Sequence, residues 1–319
     1  MANSYSGVST SGLITSLPQA LMDVYSLDIL HNAQGIMRYE EFAVKKTELS
    51  AAPGQRVLFT AYSDITRGTV LTESASLETK SMAASQIPCV VTEYGNAIGM
   101  SEKLLQLSWD NLLSEASTLL GRDYAVVRDL SIRDVVAAGG TNTLFTTAGA
   151  TNVGGVLPGD YFDVETLRVG LEALQTANAP KFYGDFYVCF VHPHQAAYLR
   201  RDPDWIAAHH YAGSRNLFNG EVGRWEDCIF VVTTHQGNGA AGSGAPGYEA
   251  LLDGAGDDGQ NLYRATLIAD QAYGVADALP VELRDNGVQD FGRTHALAWY
   301  GIWGQTVLND EHLVQIISS

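Results

Sequence analysis

Basic residues are scarce in this sequence: 19 Lys and Arg stand against 36 Asp and Glu, a net charge of −17. A protein that grips nucleic acid needs a basic stripe, because counterions released from neutralised phosphates drive the binding. This chain repels DNA, although a surface that faces packed polyanion without adhering to it must also be acidic or neutral. No run of eighteen apolar residues occurs, so no membrane-spanning helix is expected. The opening residues, Met1 to Ser16, lack the basic and apolar regions of a secretory signal. Cysteine is nearly absent. Cys89, Cys189 and Cys228 lie far apart, without a C-x-x-C pair and each in an apolar run, as expected of thiols used as core filler in a reducing compartment. There is no G-x-S-x-G, no G-x-x-x-x-G-K-[ST] and no H-E-x-x-H, which removes the nucleophile elbow, the P-loop and the zincin helix.

What is present supports a globular protein, since 46% hydrophobic residues suffice for one large or two moderate cores. Ser16 to His31 reads as a short helix, with Leu17, Leu21, Val24 and Leu27 on one face. Two β-branched and aromatic runs, Arg56 to Tyr62 and Cys89 to Tyr94, read as strands. Between them Ser63 to Pro88 is polar and too long for a structureless connection in a compact domain, unless it is an extended hairpin whose partner is another molecule. Ser101 to Ala138 carries the strongest helical pattern: Ser101 caps it, Leu105, Trp109, Leu112, Ala116, Leu119, Leu120, Tyr124, Val127 and Leu130 recur at three and four, and Gly139-Gly140 ends it. Such a helix would run roughly 55 Å.

Residues 163 to 178 form a second amphipathic helix capped by Asp163, and Phe186 to Val191 reads as a buried strand. His192-Pro193-His194 then opens a helix through Arg201. Cys228 to Thr234 and Leu262 to Ala272 are further strands, separated by the Gly-rich segment Gln236 to Gln260. The closing residues, Asp285 to Ser319, hold Phe291-Gly292-Arg293, Trp299 to Gly304 and Val307-Leu308, then a turn at Asn309-Asp310-Glu311, then Leu313 to Ile317. These read as aromatic-rich strands without chemistry. Helices and strands in this order predict an α+β architecture, layered on one sheet.

Three patterns resemble chemical sites. Gly237-Asn238-Gly239-Ala240-Ala241-Gly242 matches G-x-G-x-x-G after a buried strand, but the fingerprint needs a helix to hold the pyrophosphate, and Ser243-Gly244-Ala245-Pro246-Gly247 is not one. A surface loop is the better reading. Asp253 to Gly259 has the composition of a calcium loop without its closing Glu, and is better read as a solvated turn. His192, His194, His209 and His210 lack zinc-site spacing, and His192 sits where a helix cap is wanted. Neither cofactor nor metal is expected.

In their order and spacing these parts resemble the major capsid proteins of tailed bacteriophages, with the Hong Kong 97-like fold, and among them the coliphage N-four-like branch. The resemblance spans nearly the whole chain. It implies an N-terminal arm (1–55), an extended E-loop hairpin with flanking strands (56–100), a peripheral domain with a spine helix (101–162), an axial domain (163–279) and a return to the peripheral domain (280–319). Val288 to Arg293 and Val307 to Glu311 resemble the family's closing segment. The implied role is structural and without catalysis: self-assembly through hexamers and pentamers into an icosahedral shell around double-stranded DNA. Scaffolding, portal and decoration proteins are the implied partners, and the implied location is the virion, assembled in the host cytoplasm.

Some shells of this fold are locked by a Lys-to-Asn bond from the E-loop; Lys80 is the sole lysine in the corresponding segment here, with no paired catalytic Glu, so it is expected to be solvated or salt-bridged. Arg67, Glu73, Glu78 and Lys80 are the candidate inter-subunit contacts. Two rival readings follow from the same residues, an encapsulin-like compartment shell and a nucleotide-binding enzyme using Gly237 to Gly242. In the favoured reading the terminal aromatics are structural, and assembly contacts lie in the arm and in Ser63 to Pro88.

Overall fold

The computed structural model describes residues 37–47, 54, 56–62, 65, 67–68, 70, 79–107, 112–140, 142–206, 224–236 and 262–319. The helix read at Ser16 to His31, the Gly237 to Gly242 pattern, Asp253 to Gly259, His209 and His210 lie outside the described residues. The chain divides into two compact units: Met1–Met37, Thr92–Asp129 and Leu279–Trp303 form one, and Arg38–Val91, Leu130–Ala278 and Gly304–Ser319 the other.

The strands are β1 (Val44–Lys46), β2 (Arg56–Tyr62), β3 (Ala84–Val90), β4 (Thr92–Ser101), β5 (Asn142–Phe145), β6 (Tyr187–Val191), β7 (Arg224–Trp225), β8 (Cys228–Val232), β9 (Tyr263–Ile268), β10 (Tyr273–Gln289), β11 (Thr294–Val307) and β12 (Leu313–Ser318). The α-helices are α1 (Glu102–Leu107), α2 (Leu112–Gly139), α3 (Val164–Thr176) and α4 (Pro193–Leu199).

In the first unit, β11 pairs antiparallel with β4 from Thr294↔Ser101 to Trp303↔Thr92, and β10 lies on its other side. Period-two alternation puts Leu297, Trp299, Gly301 and Trp303 on the buried face. Gly301 is there for space, since a Cβ on it would lie 2.8 Å from the Trp303 ring. The helix α2 covers this face with Ala116, Leu120 and Tyr124. Tyr94 stacks on Trp303 at 4.3 Å between ring centroids, and Tyr124 meets Trp299 edge-on at 5.6 Å. Each such pair contributes roughly 0.5–1.5 kcal/mol beyond its buried area. Trp299 Nε1 donates to Asp123 Oδ2 at 2.8 Å, so the buried indole N–H is satisfied. Trp299 and Trp303 of the closing run are therefore core.

The second unit is a six-stranded sheet in the order β5-β12-β9-β6-β8-β7. All five residues of β6 are buried because both faces are covered. On one face α3 lays Leu167, Leu171 and Leu174 against Cys189, Leu267, Val314 and Ile316. Tyr39, Ile132, Val136, Phe190 and Leu313 fill the other. Two of the caps foreseen at helix starts lie in this unit: Asp163 Oδ1 accepts from Thr166 N at 2.9 Å, and His192 Nδ1 accepts from His194 N at 3.2 Å. Gln195 Oε1 returns the bond to His192 N at 3.3 Å, completing a capping box with Pro193 in the first turn. The C-terminal carbonyls of α2 are met by side chains, Gln315 Nε2 donating to Ala137 O at 2.7 Å and Arg264 Nη1 to the same oxygen at 3.4 Å.

Several expectations are corrected. Of the helix read from Ser101, the described parts are α1 and α2, with 108–111 outside the described residues, and Ser101 Oγ accepts from Leu104 N at 3.3 Å. Leu119, placed on the packed face by its spacing, is exposed, because neighbouring leucines diverge by about 100° around a helix and Leu120 holds the packed side. Cys89 to Tyr94 is not one strand: it is split between β3 and β4 at Val91, and β3 begins as early as Ala84. Phe291-Gly292-Arg293 is a turn and not part of a strand. The 17-residue β10 was not foreseen beyond its last residues.

Candidate assembly surfaces

The hairpin β2–β3 pairs antiparallel from Arg56↔Val90 to Tyr62↔Ala84. Its base is anchored: Val57, Phe59 and Cys89 form a buried cluster with Ala276. Gly274 makes room for that anchor, since a Cβ there would meet the Phe59 ring at 2.7 Å. Base included, seven paired residues on each strand run about 24 Å. Burial falls away along the pair, and Tyr62, Ile65, Val70 and Met82 are exposed, Val70 at 96%. Exposed apolar side chains on an anchored projection mark an interaction surface more readily than a folding element.

Of the four charged candidates, the structure brings two together, with Lys80 Nζ 3.5 Å from the carbonyl oxygen of Arg67, to which it donates. Both residues are exposed. Glu73 and Glu78 lie outside the described residues.

The histidines of the α4 corner serve the fold. The His192 and His194 rings stack on Tyr263 at 4.8 and 4.2 Å, and Tyr161 lies flat on Tyr198 at 3.6 Å. Burial, with the nearby His194 charge second, lowers the His192 pKa to about 4; burial and then Arg201 lower that of His194. Among the described residues no cluster of three or more His, Cys, Asp or Glu side chains could hold a metal ion. The three cysteines are free and buried. Burial pushes the Cys89 thiol up to about 11, and burial beside Cys189 raises that of Cys228, which makes both poor nucleophiles.

Sequence reasoning missed two surface features. Tyr183 and Phe291 stand fully exposed on tight turns, one in each unit, and each sits beside a glycine of positive φ. The available signal was an aromatic next to Gly and Asp, in Tyr183-Gly184-Asp185 and Asp290-Phe291-Gly292.

A family model described as phage capsid protein matches residues 85–314. The chain belongs to this family. No curated protein matches the sequence. Among solved structures, the cyanophage Pam1 capsid asymmetric unit is similar at a TM-score of 0.69 and 12% identity, over 99% of this chain and 96% of that one. The capsid of Ralstonia phage GP4 follows at 0.65 and 18%, over 89% and 91%. A virus-like particle from Pyrococcus furiosus is similar at 0.53 and 12%, over 94% and 99%. The fold of this phage capsid protein is thus the Hong Kong 97-like fold of tailed-phage major capsid proteins, and its role is structural. The family does not favour the compartment-shell or nucleotide-enzyme readings.

Proposed function

We propose that copies of this protein tile, as hexamers and pentamers, into a closed icosahedral shell around the double-stranded DNA of a tailed phage, in the coliphage N-four-like branch. The shell assembles in the host cytoplasm, with scaffolding, portal and decoration proteins as further partners, and the chain performs no catalysis. In this reading 1–55 is the arm, 56–100 the E-loop with its flanking strands, 101–162 and 280–319 the peripheral domain and 163–279 the axial domain. Arg67 and Lys80, with Glu73 and Glu78 in the same segment, supply polar contacts beside the exposed apolar residues.

The observation that carries the reading is the β2–β3 hairpin, packed at its base by Val57, Phe59 and Cys89 and apolar but exposed towards its far end. Such a projection gains stability only by covering itself on a neighbour. The charge of −17 suits a container that holds DNA without gripping it. Purified protein, with a scaffolding partner where one is encoded nearby, is expected to give closed shells in negative-stain images. Monomers at every concentration and salt tested would overturn the proposal.

A further inference from the structure

We infer that Tyr183 is the knob of a head-to-tail contact, and that it seats in the groove between α3 and β5 of a second copy of this chain. The inference rests on the shell reading above and names one contact within it.

Phe182 to Asp185 is a four-residue turn closed by Asp185 N donating to Phe182 O at 3.1 Å. Its two central residues have positive φ, 52° at Tyr183 and 75° at Gly184, the pattern that favours Asn-Gly and disfavours an aromatic in the first slot. Tyr183 is nevertheless 95% exposed, with Phe186 as a ring neighbour only at 6.3 Å. Two ion pairs tie the turn: Arg224 donates to both carboxylate oxygens of Asp185 at 3.0 Å, and Lys181 Nζ meets Asp227 Oδ2 at 2.5 Å. An unfavourable residue, held out by a pinned turn with only the Phe186 ring near it among the described residues, is arranged for a partner.

The partner surface is on the same unit. An open groove of about 690 Å³ is lined by Val169, Glu172, Ala173, Thr176 and Ala177 of α3 and its end, with Asn142 and Glu311 opposite. Val169, Ala173 and Ala177 offer a tyrosine ring an apolar wall, and Glu172 and Glu311, the charged residues among its described lining, can accept from a tyrosine hydroxyl. Topology suits a head-to-tail match. The knob is tied through Arg224 to β7, one edge strand of the six-stranded sheet, and Asn142 opens β5, the opposite edge strand. With the knob near one edge and the hole near the other, copies repeated around an axis pair knob to hole, a heterologous contact that closes a ring where the rotation closes.

Cysteines placed at both ends test this, since the native three are buried. Under mild oxidation the double variant Tyr183→Cys with Ala173→Cys should give a ladder of covalent oligomers up to ring size, and neither single variant should. Shells that form without a ladder overturn the contact and leave the shell reading standing; dimers alone overturn it in favour of a two-fold contact. Monomers throughout overturn both. Tyr183→Asn suits the turn better, so the free subunit should melt no lower than the parent while shells require about tenfold more protein. Unchanged assembly by that variant overturns the contact.

Discussion

Asp123 shows how much one side chain settles. It accepts from Trp299 Nε1 at 2.8 Å and from Asn96 Nδ2 at 3.0 Å, tying α2 to β11 and β4. Asp123→Ala leaves the indole N–H of a nearly wholly buried tryptophan without a partner, which costs about 1–3 kcal/mol. Urea unfolding should show that loss, and Asp123→Asn, which keeps an acceptor, should lose less; equal losses would point to helix packing instead. His192 adds a pH dependence. Its pKa falls from the ordinary 6.5 to about 4 because burial disfavours the imidazolium. The unfolded chain therefore binds the proton first, and the stabilisation present above 6.5 is lost as pH falls towards 4. Allowing for the ring's partial exposure, the loss is about 1–2 kcal/mol. His192→Asn retains a capping oxygen and removes the titration, so its urea midpoint should change less between pH 6.5 and 5 than that of the parent.

At the level of the element, the β10–β11 hairpin ends in a turn that its sequence resists. Asp290 and Phe291 have φ of 51° and 55°, and Gly292 N donates to Gln289 O at 3.2 Å. Glycine is the favoured second residue of such a turn, so Phe291→Gly should stabilise the free subunit by about 1 kcal/mol, read as a higher urea midpoint with an unchanged slope. A loss instead would mean that the phenylalanine packs on its own subunit. The same turn shows which elements were legible in the sequence. The helix α3 was readable because Asp163 caps it and its leucines keep a helical period, and β6 because a buried parallel strand is one apolar run. The unread strand β10 contains Pro280, and its pairing is set by β11 on one side and the sequence-distant β1 on the other and not by local pattern. In the segment read as Ser63 to Pro88 the pattern pointed to charges, whereas the exposure of Val70 and Met82 depends on packing that the pattern does not contain. Knob and groove were invisible because each depends on backbone conformation or on packing across elements that a linear pattern does not contain.

At the scale of the whole molecule, charge and assembly oppose each other. Every copy brings −17 to the proposed shell, and neighbours repel at all contacts not relieved by local pairing. The contacts singled out, Tyr183 in its groove and the exposed apolar residues of the hairpin, draw on burial and short hydrogen bonds that salt scarcely weakens. Long-range repulsion is different: the screening length shrinks from about 10 Å at 0.1 M salt to about 3 Å at 1 M. Raising sodium chloride from about 0.05 to 0.5 M should therefore lower the protein concentration at which light scattering first reports shells, by several-fold. The melting temperature of the free subunit should move far less, because its internal ion pairs and its self-repulsion are screened together. A threshold that rises with salt would show that inter-subunit ion pairs outweigh the net charge, and would return Arg67 and Lys80, with Glu73 and Glu78, to the centre of the interface.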